Sequence, residues 1–138
     1  HLLGNLATKA GPWEFYNGPN DGMTIGTSGG LDPVELRAKI GASLDSLKRE
    51  SVDLFYLSSP DVKTNIEDTL AVVNEAHQQG KIKAFGLSNY SAWEVTHIYH
   101  TCAAKGWVRP SVYQGMYNAI TREVESDLVP CLRKLGIP

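Results

Sequence analysis

Short apolar runs alternate with amphipathic stretches along the chain, and this alternation limits the fold more than any other feature. The runs are rich in β-branched and aromatic residues and are too short for helices, which predicts buried strands. The predicted strands are 6–10, 52–57, 83–88 and 111–116. The last three are spaced by about 30 residues, the size of a strand–helix–strand unit. Such units form a parallel sheet with right-handed crossovers, so the sequence predicts an α/β fold.

A helical pattern follows each predicted strand, with apolar residues at intervals of three or four. The apolar sets are Leu36, Ile40, Leu44 and Leu47; Ile66, Leu70 and Val73; Val95, Ile98 and Cys102; and Val124, Leu128, Leu132 and Leu135. Capping sequences predict helix starts at Asp32–Glu35, Thr64–Glu67 and Ser91–Glu94. Helix ends are predicted at Gly80, Gly106 and Gly136, because glycine adopts the left-handed cap conformation without steric cost.

Residues 11–30 interrupt this alternation of strands and helices with a long segment rich in Gly, Asn and Pro. Loops of this length without secondary structure usually act as lids or are mobile. The segment carries Trp13, Phe15 and Tyr16. Two interpretations stay open: these aromatic side chains line an apolar pocket, or they anchor a disordered excursion.

Composition excludes several classes of protein. The chain has 138 residues, of which 42% are apolar, and this suits one domain with a real core. It has 13 basic and 15 acidic side chains, so we expect neither nucleic acid nor an anionic membrane as partner. The apolar runs are too short for a transmembrane helix, and no signal-peptide pattern is present. Two cysteines fit a reducing, cytoplasmic location, and His rather than Met at position 1 suggests a processed, trimmed or partial chain.

Four strand–helix units allow two architectures. One is a compact open sheet of the flavodoxin type, and the other is half of an eight-unit barrel of roughly 250 residues. The segment after the first strand has neither a G-x-G-x-x-G nor a GK[ST] phosphate loop. Counting units does not decide between the two architectures.

Polar residues stand at the ends of all four predicted strands, where α/β proteins collect their reactive groups. Lys9 lies in an otherwise apolar strand, so it is either buried with a charged neighbour or extends to water. Ser58–Ser59 and Ser88–Asn89 end the second and third strands, and Gln114 lies in the fourth. Hydroxyl and amide groups there bind a polar ring substituent or simply form turns.

Other reactive side chains form weaker patterns. Glu94, His97 and His100 recur every three residues on one predicted helix. This spacing is more typical of a solvent-facing stripe than of a metal site, so no metal is expected. Cys102 and Cys131 fall on apolar helix faces, and we expect both to behave as small buried hydrophobic residues.

Four sequence strings resemble the aldo-keto reductases, and within them most closely the aflatoxin aldehyde reductases. The strings are ATKAGPW (7–13), VDLFYLSSPD (52–61), GLSNYSAWEV (86–95) and VYQGMYNAITREVE (112–125). That family folds as a (β/α)8 TIM barrel. The resemblance implies that residues 1–138 form one partial domain with four βα units, corresponding to strands three to six of the barrel.

The resemblance implies NADPH-dependent reduction of aldehydes or ketones, in which a tyrosine protonates the carbonyl oxygen. Lys9 matches the catalytic lysine that lowers the pKa of this tyrosine. Ser88, Asn89 and Gln114 match the residues that bind the nicotinamide carboxamide and so orient the ring.

Two departures from the family pattern affect these expectations. The catalytic Asp and Tyr of the family lie upstream of position 1, and Ser58 occupies the position of the catalytic histidine. Serine is shorter than histidine and carries no charge at neutral pH. We therefore expect the chain alone to be inactive and to associate through its open sheet edges, for example as a homo-oligomer. The alternative function is a non-catalytic interaction or cofactor-binding protein on the same scaffold.

Overall fold

The structure is a computed structural model that describes residues 6–11, 15–16, 24–25 and 30–138. Its strands are β1 (Ala7–Ala10), β2 (Phe15–Tyr16), β3 (Thr24–Ile25), β4 (Val52–Leu57), β5 (Ile82–Ser88) and β6 (Pro110–Gln114). Its α-helices are α1 (Pro33–Leu47), α2 (Ile66–Gln78), α3 (Ala92–Lys105) and α4 (Leu128–Leu135), and a single 3₁₀ turn covers Glu123–Glu125. Within these ranges, no helix is long and apolar enough to cross a membrane.

The main sheet has four parallel strands in the order β1-β4-β5-β6. Each crossover contains one helix and moves one strand further along the sheet, so right-handed connections place α1, α2 and α3 on the same face. Consecutive helices pack against one another in that layer. The predicted succession of four βα units is confirmed, and the one-sided helix layer matches part of a (β/α)8 barrel.

The core lies between the sheet and the helix layer. Phe55 and Leu57 of β4, with Phe85 and Leu87 of β5, are buried against the helices. The helices contribute Leu36, Ile40, Leu44, Leu70, Val73, Val95, Ile98 and Cys102 to this core. The helical periodicity predicts all of these residues, but of the other residues in the first three predicted sets, Ile66 is only partly buried and Leu47 is exposed.

Side chains on the other face of the sheet carry no helix layer. Leu54 and Tyr56 alternate with the buried residues of β4 and are half-buried. Gly86 is the register partner of both Tyr56 and Val112. A Cβ atom at Gly86 would lie 2.6 Å from Val112 Cγ1 and 2.7 Å from Tyr56 Cε1, so the Tyr56 ring covers this glycine. In a closed barrel this face would line the interior.

Helix caps agree with the sequence at two of three sites. The Asp32 carboxylate accepts hydrogen bonds from two backbone N–H groups in the first turn of α1. The Glu94 carboxylate accepts from the Ser91 N–H and hydroxyl at the start of α3. The predicted cap of α2 at Thr64 is wrong by one residue: Asn65 caps this helix, because the Thr64 hydroxyl donates to Asp61 instead.

The fourth helical pattern is also corrected by the structure. Val124 lies in the 3₁₀ turn, and α4 begins four residues later at Leu128. A continuous helix would place Pro130 in its interior, where the ring clashes with the carbonyl four residues earlier. Starting at Leu128 places Pro130 in the first turn, where proline is tolerated. The predicted last strand also ends early, at Gln114 rather than Met116.

The segment 11–30 contains a short antiparallel pair, in which Phe15 lies opposite Ile25 and Tyr16 opposite Thr24. The prediction of a segment without secondary structure is wrong at these positions. Trp13 and the proposed pocket lie outside the described residues. The Lys39 ammonium donates to the Gly11 carbonyl at 2.9 Å and to the Gly30 carbonyl at 2.8 Å. This side chain therefore holds the two ends of the segment together.

Candidate functional site

The carboxyl ends of β4, β5 and β6 bring three predicted site residues together. Ser88 and Gln114 are register partners. Leu57 and Leu87 are also register partners, so Ser58 follows β4 at the level of Ser88. Neighbouring parallel strands lie about 4.8 Å apart. The register therefore places Ser58, Ser88 and Gln114 in one row at the sheet edge.

Asn89 directly follows Ser88 and completes what we call the polar row; its backbone is left-handed, with φ of 62°. Asparagine tolerates this region better than most residues because its short amide makes local hydrogen bonds. Here the Nδ2 group donates to the Ser58 carbonyl at 2.8 Å and to the Ser88 hydroxyl at 3.2 Å. The Asn89 side chain thus links the end of β5 to the end of β4.

The hydrogen-bonding groups of the row that stay free indicate which kind of ligand it can bind. Ser88 is buried and accepts from Asn89 through its hydroxyl oxygen, which leaves its O–H as a donor. Asn89 Oδ1 and the exposed side-chain amide of Gln114 have no hydrogen-bond partner among the described residues. An O–H donor beside free amide groups suits a planar ligand that both accepts and donates, such as a carboxamide.

Among the described residues, Ser58 is hydrogen-bonded through its backbone groups and not through its hydroxyl. Its N–H donates to the Ala10 carbonyl at 2.8 Å, and its carbonyl accepts from Asn89. Its hydroxyl offers a single donor, which is shorter in reach than an imidazole. Two backbone hydrogen bonds thus fix the position of Ser58, and its side chain contributes one hydroxyl.

Lys9 is exposed, so the prediction that it extends to water is confirmed over the buried alternative. Its register partner is Tyr56, which places Lys9 on the open face of the sheet and one pleat below Ser58. Among the described residues no acceptor binds its ammonium group. Lys9 therefore lies on the same face of the sheet as the polar row and near the same edge.

Sequence reasoning missed two tyrosines beside this row. The Tyr90 hydroxyl donates to the Ser59 carbonyl at 3.1 Å, and the Tyr113 hydroxyl donates to the Tyr90 carbonyl at 2.7 Å. Burial raises the pKa of both phenols, so both are neutral donors. The available signal was a tyrosine directly after Ser88–Asn89, at a position where a strand ends.

The other reactive side chains do not form a site. Glu94 is engaged in the helix cap, while His97 and His100 are exposed. No group of His, Cys, Asp and Glu in the described ranges is arranged to hold a metal ion. Cys102 is buried, and burial raises the pKa of its thiol to about 11. Cys131 is half-buried and packs against the core, so the expected burial is only partial for this residue.

A cleft of about 610 Å³ lies at the opposite, amino end of the strands. Charged side chains line much of it, including Lys48, Arg49 and Glu50. There the Asp53 carboxylate accepts from the Lys83 ammonium at 2.6 Å and from the Leu6 N–H at 2.9 Å, and the Lys83 contact chiefly lowers its pKa. These groups stabilise the first residues of the strands. The cleft is open and remote from the polar row, so size alone does not make it the functional site.

Comparison with known proteins identifies the family of the chain. The family model described as "Aldo/keto reductase family" matches residues 2–138. Aflatoxin B1 aldehyde reductase member 2 of Mus musculus is 47% identical over 132 residues, which are 96% of this chain and 32% of the mouse protein. Aflatoxin B1 aldehyde reductase member 4 of Homo sapiens is 46% identical over 132 residues, covering 96% of this chain and 36% of the human protein.

A further human relative, "Aldo-keto reductase family 7 member A3", is 52% identical over 107 residues, or 78% of this chain and 32% of that protein. The chain therefore spans about a third of the length of the curated relatives that it matches. The family model covers the strand ends that carry the polar row. This chain belongs to the aldo/keto reductase family.

Proposed function

We propose that this chain forms strands three to six of an NADPH-dependent aldo-keto reductase that reduces small aldehydes or ketones to alcohols. The observation that carries the proposal is the row at the carboxyl edge, in which Ser88, Asn89 and Gln114 offer one hydroxyl and two amide groups at adjacent strand ends. Family membership makes a nicotinamide cofactor the expected ligand of that row.

The unpaired groups fit the carboxamide of nicotinamide. Its oxygen can accept from the Ser88 hydroxyl, and its NH2 group can donate to the free oxygens of Asn89 and Gln114. When bound, NADPH supplies a hydride to the carbonyl carbon. The residues of this chain hold the ring and fix which face it presents, which is a positioning effect.

Lys9 and Ser58 are the proposed catalytic contributors of this chain. Lys9 would place a positive charge beside a tyrosine contributed by another part of the barrel and so lower the pKa of its phenol. Ser58 would donate a single hydrogen bond toward the carbonyl oxygen of the substrate, where negative charge develops. Both free cysteines support a reducing, cytoplasmic location.

The direct test is a chimeric barrel, in which this chain replaces the matched segment of the mouse aflatoxin B1 aldehyde reductase member 2. We expect the chimeric barrel to oxidise NADPH in the presence of 4-nitrobenzaldehyde, followed by absorbance at 340 nm. The chain alone should stay far below roughly 1 turnover per second, a typical lower value for enzymes, because loss of a catalytic acid costs about 10² to 10⁴ in rate. A chimeric barrel that folds but neither binds nor oxidises NADPH would contradict the proposal.

Ser58 favours the second candidate function, a cofactor-binding protein without catalysis. A carbonyl-directed donor contributes about 2.7–4 kcal/mol to catalysis in comparable sites. If the chimeric barrel binds NADPH but turns over slowly, Ser58→His should raise kcat/KM. An unchanged or lower kcat/KM after Ser58→His would show that serine is compatible with this site, and would remove the argument for a non-catalytic protein.

A further inference from the structure

Two tyrosine hydroxyls connect the carboxyl ends of three adjacent strands. Tyr90, two residues after β5, donates to the Ser59 carbonyl just after β4. Tyr113 of β6 donates to the Tyr90 carbonyl. Together these bonds run from β6 through β5 to β4, in the same order as the strands of the sheet. We call Tyr90 and Tyr113 with these two bonds the tyrosine pair.

The surroundings of the tyrosine pair keep both rings in place. Tyr90 is 3% exposed and belongs to the core, and Tyr113 is half-buried against it. A Cβ atom at Gly115 would lie 2.9 Å from Tyr113 Cε1, so this glycine leaves room for the Tyr113 ring. Because the rings are packed, each hydroxyl can fix the backbone carbonyl that it contacts.

Each of the three residues that these two hydrogen bonds join is next in sequence to a member of the polar row. Ser59 follows Ser58, Tyr90 follows Asn89, and Tyr113 precedes Gln114. Asn89 adopts a left-handed conformation, which is less favourable for a residue with a side chain than for glycine. The hydrogen bond from its side-chain amide to the Ser58 carbonyl requires that the ends of β4 and β5 keep their relative position. The tyrosine pair supplies a second connection between the same two strand ends.

We propose that Tyr90 and Tyr113 are positioning residues, whose hydroxyls set the relative placement of Ser88, Asn89 and Gln114 for the carboxamide end of the cofactor. Neither hydroxyl touches the cofactor in this proposal; each acts through the backbone beside a binding residue. The inference rests on the proposed function, because it assumes that the row binds nicotinamide.

The test uses Tyr90→Phe and Tyr113→Phe in the chimeric barrel, since each change removes a hydroxyl and keeps the ring. Binding of NADPH is measured by quenching of tryptophan fluorescence. Binding of adenosine 2′,5′-bisphosphate, which lacks the nicotinamide, is measured by calorimetry. We expect each variant to raise the Kd for NADPH roughly three- to tenfold, the size expected for one hydrogen bond, and to change the Kd for the bisphosphate less than about twofold.

Tyr99→Phe is the matched control. The Tyr99 hydroxyl accepts from Arg109 at 2.9 Å, just before β6 begins and therefore at the opposite edge of the sheet. This variant also loses one tyrosine hydrogen bond, but we expect it to leave the Kd of both ligands unchanged.

The outcomes separate the two levels of the argument. If the unsubstituted chimeric barrel binds the bisphosphate but not NADPH, the proposed function fails. If it binds both and Tyr90→Phe and Tyr113→Phe bind NADPH as tightly as it does, the positioning role is overturned. Equal weakening of both ligands, with a lower melting temperature of the apoprotein, would also overturn it by showing a purely structural role. Selective weakening of NADPH binding in both variants supports it.

Discussion

A pair of glycine-to-alanine substitutions tests the packing on the open face of the sheet. At Gly86 an added Cβ would meet Val112 at 2.6 Å and the Tyr56 ring at 2.7 Å. Both distances are below 3.0 Å, the limit that real Cβ atoms essentially never cross. The ring and the valine must therefore move or the strands must separate.

The expected magnitude follows from this geometry. Forcing a methyl group into a packed site usually destabilises a protein by about 1–3 kcal/mol, and we expect Gly86→Ala to fall in the upper half of that range because two neighbours are too close. Gly41 lies inside α1, and a Cβ atom there meets nothing within 4 Å. Gly41→Ala should therefore stabilise the protein by about 0.8–1 kcal/mol, the difference in helix propensity.

The assay is urea unfolding of the chimeric barrel, followed by far-ultraviolet circular dichroism. The two variants should shift the unfolding midpoint in opposite directions, and the slope of the transition should stay constant if only stability changes. Gly86→Ala should also weaken NADPH binding, since Gly86 lies in the strand that ends at Ser88. A Gly86→Ala protein as stable as the unsubstituted one would refute the reasoning.

Three further outcomes are expected. Ser59→Ala should raise the free energy of unfolding, measured in urea, by about 1 kcal/mol, because the Ser59 hydroxyl is buried without a partner among the described residues. A loss of stability would instead reveal such a partner. The free energy of unfolding should fall as the pH drops below about 4. The reason is that Lys83 lowers the pKa of Asp53 below 3.8 and Arg37 lowers the pKa of Glu75 below 4.5, and this stabilisation is lost as the carboxylates protonate. Asp53→Asn with Glu75→Gln should make the decline shallower, and an unchanged decline would contradict the assignment. The chain alone should elute as a dimer, a partly folded species or an aggregate in size-exclusion chromatography with light scattering, whereas a monodisperse 15.1 kDa monomer with a cooperative melt would contradict the open-edge argument.

Short-range patterns in the sequence predicted most of the fold. Apolar periodicity located the strands and helices, and the capping residues Asp32 and Ser91 marked two helix starts to the residue. Periodicity failed between Val124 and Leu128, because the spacing stays helical while Pro130 forces a new start. That error was avoidable, since the proline is visible in the sequence.

Contacts across the sheet were less predictable. The polar row was located because parallel strand ends meet at one edge, and the resemblance supplied its proposed role. The bonds from Tyr90 to Ser59 and from Tyr113 to Tyr90 join residues 31 and 23 positions apart. Periodicity and capping rules describe neighbours within one element, so they give no signal for such bonds.

The contact between the polar row and the nicotinamide carboxamide is the central proposal, and one measurement tests it most directly. It compares the Kd of the chimeric barrel for NADP⁺ and for its 3-acetylpyridine analogue, which lacks the amide NH2 group, before and after Gln114→Ala. Gln114 is exposed, and its side chain has no partner among the described residues, so its removal leaves the rest of the structure intact. We expect Gln114→Ala to weaken NADP⁺ binding by roughly three- to tenfold and to leave binding of the analogue unchanged. Equal effects on the two ligands, or no effect on either, would contradict a direct contact between Gln114 and the carboxamide.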